Sequence, residues 1–342
     1  MLIINSLKPF YKNSGEKIIR MGNFKGSAKE LKYTKNELLE LFRLVETPIE
    51  RNELIHKMKN KFHLSENEIN RSLDYLIKEN FITEYEQLEK VINSGYLNRQ
   101  NLFFSMVSEK TKIWNLKKQP TILILGLGGI GSNVCYILSR AGFSNFILVD
   151  HDSVEETNLI RQFPYSNCDV GKDKASVLAK KINCKNTRII NRKILNERDI
   201  EDEIVKADFV ICTLDKPTRI IRRIINKLCV KHNKPVIFSG FSEHVAMIGP
   251  FVVPSQSACL KCIEKETSSK PLNNVKIVPS YGPLCLLISS IVSNEVINYC
   301  LKFNSNNLIG KTLMLNILTY EINIINWSKK KKCEVCSIND SK

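Results

Sequence analysis

Histidine is scarce in this chain. Five are scattered through 342 residues without a partner pattern, and no Ser-His-Asp arrangement is legible. His151 and His244 could approach a site by position; otherwise they read as solvated or packed side chains. The phosphate loop Gly-x4-Gly-Lys-Ser/Thr is missing, which excludes a Walker A nucleotide site. No export signal is visible: Met1 to Pro9 is too short and too polar for one. The best apolar run, Leu284 to Leu301, is interrupted by Ser, Asn294 and Glu295, so it reads as a buried helix and not a membrane span. Acidic residues are also in deficit, 35 Asp+Glu against 51 Lys+Arg, a net charge of +16. That balance fits a polyanionic partner, and equally a Lys-rich solvated surface. The Lys329–Lys332 run is read as such a surface. The eleven cysteines are odd in number and mostly scattered, which with no export signal implies a reducing, cytoplasmic setting.

What is present is more specific. Apolar residues make up 43% of a length that allows one large α/β domain and a smaller one. Thr121-Ile-Leu-Ile-Leu125 is a strand that breaks into Gly126-Leu-Gly128-Gly129-Ile-Gly131. A helix from Ser132 to Ala141 follows, and a second strand, Phe146 to Val149, ends on Asp150. This is a βαβ nucleotide fingerprint: glycines for a tight turn and close phosphate approach, a helix N-terminus for the anion, and a carboxylate for ribose hydroxyls. Asp152, Asn158-Leu-Ile-Arg161-Gln162 and Asp169-Val-Gly-Lys-Asp-Lys174 follow. Cations at that place suit a triphosphate better than a nicotinamide cofactor. Further on, Phe209–Thr213, Thr218–His232 and Pro235–Ser239 alternate strand, helix and strand, as in a doubly wound, mostly parallel Rossmann-like sheet. Asp215, just past a strand end, could anchor Mg²⁺, or cap a helix ahead of Pro217.

Cys259-x-x-Cys262 and Cys333-x-x-Cys336 form two thiolate pairs, which match a tetrahedral structural zinc site. Their separation would make the ion a staple between the domain and its C-terminal tail. The first 85 residues read as an α+β module of winged-helix outline. Strands near Ile3–Leu7 and Lys17–Met21 flank a turn at Asn13-Ser-Gly15, and helices follow at Lys35–Val45, Ile49–Phe62 and Ser65–Glu79. Ser65-x-x-Glu68 is a capping box, and Phe81–Tyr85 would close the wing. The would-be recognition helix carries Glu66, Glu68, Asp74 and Glu79 against Arg71 and Lys78, which argues against nucleic acid as a partner. A sheet edge and apolar groove that take up a peptide fit this module better. Residues 86–116 read as a polar connector, and 117–342 as the nucleotide domain.

As a set, Gly-x-Gly-Gly-x-Gly, Asp150-x-Asp152, Asn158-Leu-x-Arg161-Gln162, Gly171-x-x-Lys174, Asp215 and the paired cysteines resemble the adenylating domain of the ubiquitin-activating-enzyme superfamily, the ThiF/MoeB/HesA fold, from about Arg99 to Cys336. The resemblance implies ATP as cosubstrate, with Asp150 on the ribose and Arg161 and Lys174 on the triphosphate. Asp215 would hold Mg²⁺, and Asn158 and Gln162 would shape the pocket. Arg99 would reach the partner's ATP across a homodimer. The implied reaction is carboxylate attack on the α-phosphorus. Many relatives place a relay cysteine in the crossover loop; the loop from Ile263 to Pro283 has none, and Cys285 just beyond it reads as packed. Arg99-x-x-Leu102, Asp215-x-Pro217 and Gly249-Pro-x-x-Val253-Pro254 are similar to the microcin C maturation enzymes. That likeness implies a short precursor peptide as substrate, and the sulfur-carrier adenylyltransferases of thiamin or molybdopterin synthesis are the alternative.

Overall fold

The computed structural model describes residues 1–342 except 25, 27, 109–118, 215–217, 265–278, 303–306 and 338–342, and the side chains of 218 and 219. Asp215, Pro217, most of the crossover loop and the end of the 86–116 connector therefore lie outside the described residues. The chain divides into two compact units, 1–115 and 116–342.

In the first unit, β1 (Leu2–Ile4), β2 (Phe10–Asn13), β3 (Ile18–Met21) and β4 (Lys29–Lys32) precede α1 (Glu37–Leu44), α2 (Arg51–Phe62), α3 (Glu66–Lys78) and β5 (Ile82–Glu84). The turn at Asn13 joins β2 to β3, and β2-β3-β4 form an antiparallel meander. β5 returns to pair with β1. The capping box closes as the sequence implies: the Glu68 amide donates to Ser65 Oγ, and the Ser65 amide donates to a Glu68 carboxylate oxygen. Apolar residues at helical spacing, Ile69, Leu73 and Leu76, then face a shared core with Leu41, Leu54, Met58 and Phe81. The span read as a connector contains two helices, α4 (Tyr85–Ile92) and α5 (Asn98–Ser108), and Arg99 lies on the second. Most of its polar residues lie on the outward faces of these helices, whereas Leu88, Val91 and Phe104 are buried together with Asn101 and Ser105.

In the second unit the order is β6 (Thr121–Leu125), α6 (Gly131–Arg140), β7 (Asn145–Val149), α7 (Lys174–Ile182), β8 (Asn186–Ile190), α8 (Glu201–Lys206), β9 (Phe209–Cys212), α9 (Thr218–Lys231), β10 (Val236–Ser242), β11 (Val245–Val252), α10 (Leu260–Ile263), α11 (Gly282–Leu301), β12 (Lys311–Asn316) and β13 (Ile322–Asn326). One eight-stranded sheet runs β13-β12-β11-β10-β9-β6-β7-β8. From β10 to β8 all pairings are parallel, and β11, β12 and β13 extend the sheet antiparallel.

The uninterrupted apolar runs of β6 and β9 are those of strands covered on both faces. Alternate residues divide between two cores: Ile122 and Ile124 pack with α6, α7 and α11, whereas Leu123 and Leu125 pack with α8, α9 and the paired cysteines. α11 has the length and hydropathy of a membrane span, yet it is a buried core helix. Leu284, Ile288, Val292 and Val296 lie in the first of these cores, and Ser289 Oγ lies 3.0 Å from the carbonyl of Ile130.

Candidate functional site

The glycine turn sits where β6 leaves the sheet, at the carboxyl end of the parallel strands. Gly126 adopts φ +88°, and a Cβ there would meet Thr213 and Leu214 at 3.1 Å. A Cβ at Gly131 would lie 1.9 Å from the Gly126 carbonyl oxygen. The turn is therefore closed too tightly for any side chain at these two places. At Gly128 the nearest atom to an added Cβ is the Gln162 amide nitrogen, 4.0 Å away, so this backbone faces open space at the mouth of α6. A helix N-terminus beside bare backbone is a site that an anion can enter.

Asp150 ends β7 beside this turn. Its carboxylate accepts from the amides of Leu127, at 2.6 Å, and Asp152, at 2.8 Å, which fixes its orientation while lone pairs remain for further donors. Asp152 is half exposed and reaches Lys174 at 3.2 Å. The Lys174 side chain is only 8% exposed. A buried ammonium with a single carboxylate partner retains donors for an anion, and its stem is fixed because its own amide donates to the Asp152 carbonyl at 3.0 Å. Tyr165 buttresses the same corner: its hydroxyl lies 3.1 Å from the Leu127 carbonyl and 3.4 Å from that of Lys174. Burial pushes its pKa up, with Asp150 and other anions adding to the effect, so it stays a neutral donor.

Asn158 and Gln162 are buried on a tight helical turn that also carries Arg161. The Asn158 side-chain oxygen accepts from the Glu155 amide, and Nη1 of Arg161 donates to the Thr157 carbonyl at 2.7 Å. The stem of Arg161 lies over Gly129: an added Cβ would approach its Cγ to 3.3 Å. Oε1 of Gln162 is buried without a partner. The structure thus brings Gly126, Gly128, Gly129, Gly131, Asp150, Asp152, Asn158, Arg161, Gln162 and Lys174 to one sheet end. Arg99 belongs to the other unit. His151 contacts Asp152 at 3.4 Å and is exposed, and His244 ends no strand of this corner.

Asn133 and Tyr165 escaped the reading of the sequence. The one hint at Asn133 is an amide side chain in the first turn of a helix, where it competes for backbone partners.

Cys285 is buried on α11 below Gly129, and burial pushes its thiol up to about 11. It is neutral at physiological pH and a poor nucleophile. Among the described residues, the four paired cysteines converge on the other face of the sheet. Cys259 and Cys262 lie 3.9 Å apart, Cys259 and Cys333 3.6 Å, and Cys262 and Cys336 3.4 Å. Tetrahedral ligation with bonds of about 2.3 Å requires sulfur separations of roughly 3.8 Å, so the donor set fits zinc. The Lys330 amide points at Cys262 Sγ, 3.5 Å away, as a thiolate would require. All four cysteines are buried, so the cluster suits a closed structural ion better than a catalytic one with an open position.

Comparison with known proteins gives this corner its context. The Escherichia coli (strain K12) sulfur carrier protein ThiS adenylyltransferase is 28% identical over 184 residues, covering 52% of this chain and 70% of the relative. The structure of E. coli MccB with AMPCPP and selenomethionine MccA has a TM-score of 0.80 at 22% identity, covering 98% and 99% of the two chains. That of the microcin C7 biosynthetic enzyme MccB with N-formylated MccA has a TM-score of 0.78 at 21% identity, with the same coverage. At these identities the two structures establish a shared fold, through both units. The ThiF family model matches residues 97–335, from the start of α5 into the last cysteine pair, and the chain therefore belongs to the ThiF family of adenylating enzymes.

Proposed function

We propose that the protein adenylates the C-terminus of a short ribosomal precursor peptide, as a step in making a nucleotide–peptide antibiotic of the microcin C kind. The observation that carries this reading is the pairing of a triphosphate corner, built on Gly128, Arg161 and Lys174, with a first unit suited to an extended peptide. That unit has a cavity of about 330 Å³ lined by Tyr33, Leu38, Leu41, Met58, Ile69 and Ser72, among others. It opens beside β4, the outer strand of its sheet. Because the Tyr33 amide bonds inward to Lys17, the backbone groups of Glu30 and Lys32 face outward, where an added strand could pair. The likeness to MccB bound to MccA, which spans this unit too, supports the same reading.

In this mechanism a terminal oxygen of the substrate attacks the α-phosphorus of ATP. The new bond to phosphorus forms as the bond to the bridging oxygen breaks, and pyrophosphate leaves with the electron pair. Arg161 and Lys174 bear the growing charge on the phosphate oxygens from a partly dry site, where such contacts are strong. Asp150 holds the ribose hydroxyls, while Asn158 and Gln162 wall the nucleotide. Mg²⁺, held by Asp215 outside the described residues, would neutralise phosphate charge when bound. Arg99 would arrive from the second subunit of a homodimer. The exposed Ile160, Phe163 and Tyr281 around Arg161 suit such an interface. No relay thiol is required, and eleven cysteines with no disulfide among them fit a cytoplasmic enzyme.

A second reading, adenylation of a folded sulfur carrier, draws on the higher identity to the ThiS adenylyltransferase. One experiment separates the two. Purified protein, MgATP and short synthetic peptides with a free C-terminus, MccA among them, should release pyrophosphate and give a peptide heavier by a nucleotidyl group that survives isolation. Pyrophosphate release only with a carrier ending in Gly-Gly, as a labile acyl-adenylate, would replace the first reading with the second.

A further inference from the structure

The glycine turn and the Arg161 turn are separate segments, joined by no mutual backbone hydrogen bond among the described residues. Asn133, on the first turn of α6, bridges them. Its side chain is 2% exposed, and Nδ2 donates to the Gly129 carbonyl at 2.6 Å and to the Arg161 carbonyl at 3.0 Å. One amide thus uses both of its hydrogens on the two segments that face the nucleotide phosphates. We infer that Asn133 is a positioning residue for Arg161, setting how far its guanidinium stands from the anion bound at the glycine turn. This rests on the reading that Arg161 grips the triphosphate.

Other contacts hold the two segments less directly: Tyr165 bonds the Leu127 carbonyl through its hydroxyl and the Gln162 carbonyl through its amide, reaching neither Gly129 nor Arg161. Over Gly129 the Arg161 stem meets a residue without a side chain, and the Cys285 thiol approaches the same spot from α11. Nη1 is spent on Thr157, within its own turn. The Gly282 backbone presses on the turn from α11, since a Cβ there would lie 2.4 Å from the Ile160 carbonyl oxygen; contact can push the turn inward but cannot fix its separation from the glycines. The two hydrogen bonds of Asn133 set that separation from the other side. An error of about 1 Å in such a group is enough to cost a large factor in rate.

The test is a mutant cycle read by calorimetric binding of Mg-AMPCPP. Asn133→Ala and Asn133→Asp should each weaken binding about tenfold, the coupling expected of residues sharing one network. Asp keeps the shape of Asn yet offers two acceptors to two carbonyls, so it separates bonding from packing. Arg161→Ala should weaken binding more, and adding Asn133→Ala to it should cost almost nothing further. Wild-type affinity in both Asn133 variants, or losses that multiply in the double variant, would overturn the inference while leaving the role of Arg161 intact. Wild-type affinity in Arg161→Ala would overturn both. Zinc content, measured alongside, should match the wild type in Asn133→Asp, and its melting temperature, lowered by a buried carboxylate facing two carbonyls, should stay well above the temperature of the titration; a variant that has lost its zinc and unfolded, and binds weakly for that reason alone, would count against a positioning role.

Discussion

Gly128 and Gly131 are three residues apart in one motif, yet the structure predicts opposite consequences for adding a methyl group. At Gly131 the new Cβ would lie 1.9 Å from the Gly126 carbonyl oxygen and 2.9 Å from Thr213 Oγ1. Relieving the first contact requires the turn to open by roughly 1.6 Å, because carbon contacts become favourable only near 3.5 Å. That movement strains a packed turn, at about 1–3 kcal/mol. It also stretches the Thr213 hydroxyl bond to the Gly126 carbonyl, now 2.9 Å, for about 1 kcal/mol more. A total near 3 kcal/mol corresponds to a fall of roughly 6–12 °C in melting temperature for a unit of this size. At Gly128 the methyl group meets nothing closer than 4.0 Å. Gly128→Ala should therefore melt within about 1 °C of wild type, in line with surface changes that disturb no contact. It should nonetheless bind Mg-AMPCPP poorly, since the methyl group occupies the space through which phosphate approaches the backbone. Thermal unfolding followed by circular dichroism, with calorimetry for binding, reads both variants. Equal melting temperatures for the two would refute this account of the turn, and so would full nucleotide binding by Gly128→Ala.

Cys262→Ser should lower zinc from one equivalent per chain, measured by plasma mass spectrometry. Stripping the ion altogether should destabilise the second unit severely, with a scale on the order of 10 kcal/mol from zinc-finger peptides. Asp169 supplies a pH dependence. Burial raises its pKa, but hydrogen bonds from the Ser166 side chain, Lys181 and the Ser166 amide prevail and hold it at about 2, below the ordinary value of 3.8. A depressed carboxylate stabilises the fold above its unfolded pKa and loses that contribution as pH falls from about 4 through 2. Asp169→Asn should accordingly melt lower at neutral pH and show a shallower acid decline; an unchanged melting curve at both pH values would contradict this. Cys285→Ala should retain adenylation, because a buried thiol raised to about 11 carries no thiolate to relay an acyl group; loss of turnover with preserved folding would assign it a chemical role.

The βαβ core was legible because β6 and β9 are covered on both faces, and such strands write themselves as unbroken apolar runs bounded by glycine or aspartate. The observed α6 and β7 begin one residue ahead of the expected ones. The antiparallel extension was not legible. β13 is an outer strand whose Ile322 and Ile324 are exposed, so its pattern has no buried face to declare it. β2 was hidden similarly, with Tyr11, Lys12 and Asn13 all turned to solvent. Within the site, residues of a contiguous motif could be named from spacing. Asn133 and Tyr165 act on carbonyls brought near by folding, and no local pattern encodes a carbonyl 28 or 38 residues away.

The cysteine cluster also has a consequence in time. Its halves lie 74 residues apart, and the second pair follows the last strand of the sheet. During synthesis Cys259 and Cys262 emerge while β12 and β13 are still unmade, so a metal arriving then finds two thiols and no cage. Domains form largely as units behind the ribosome. An ion that needs all four thiolates would therefore be held only after the tail has returned to the domain, and its retention would report that the second unit has been assembled through to the last cysteine pair.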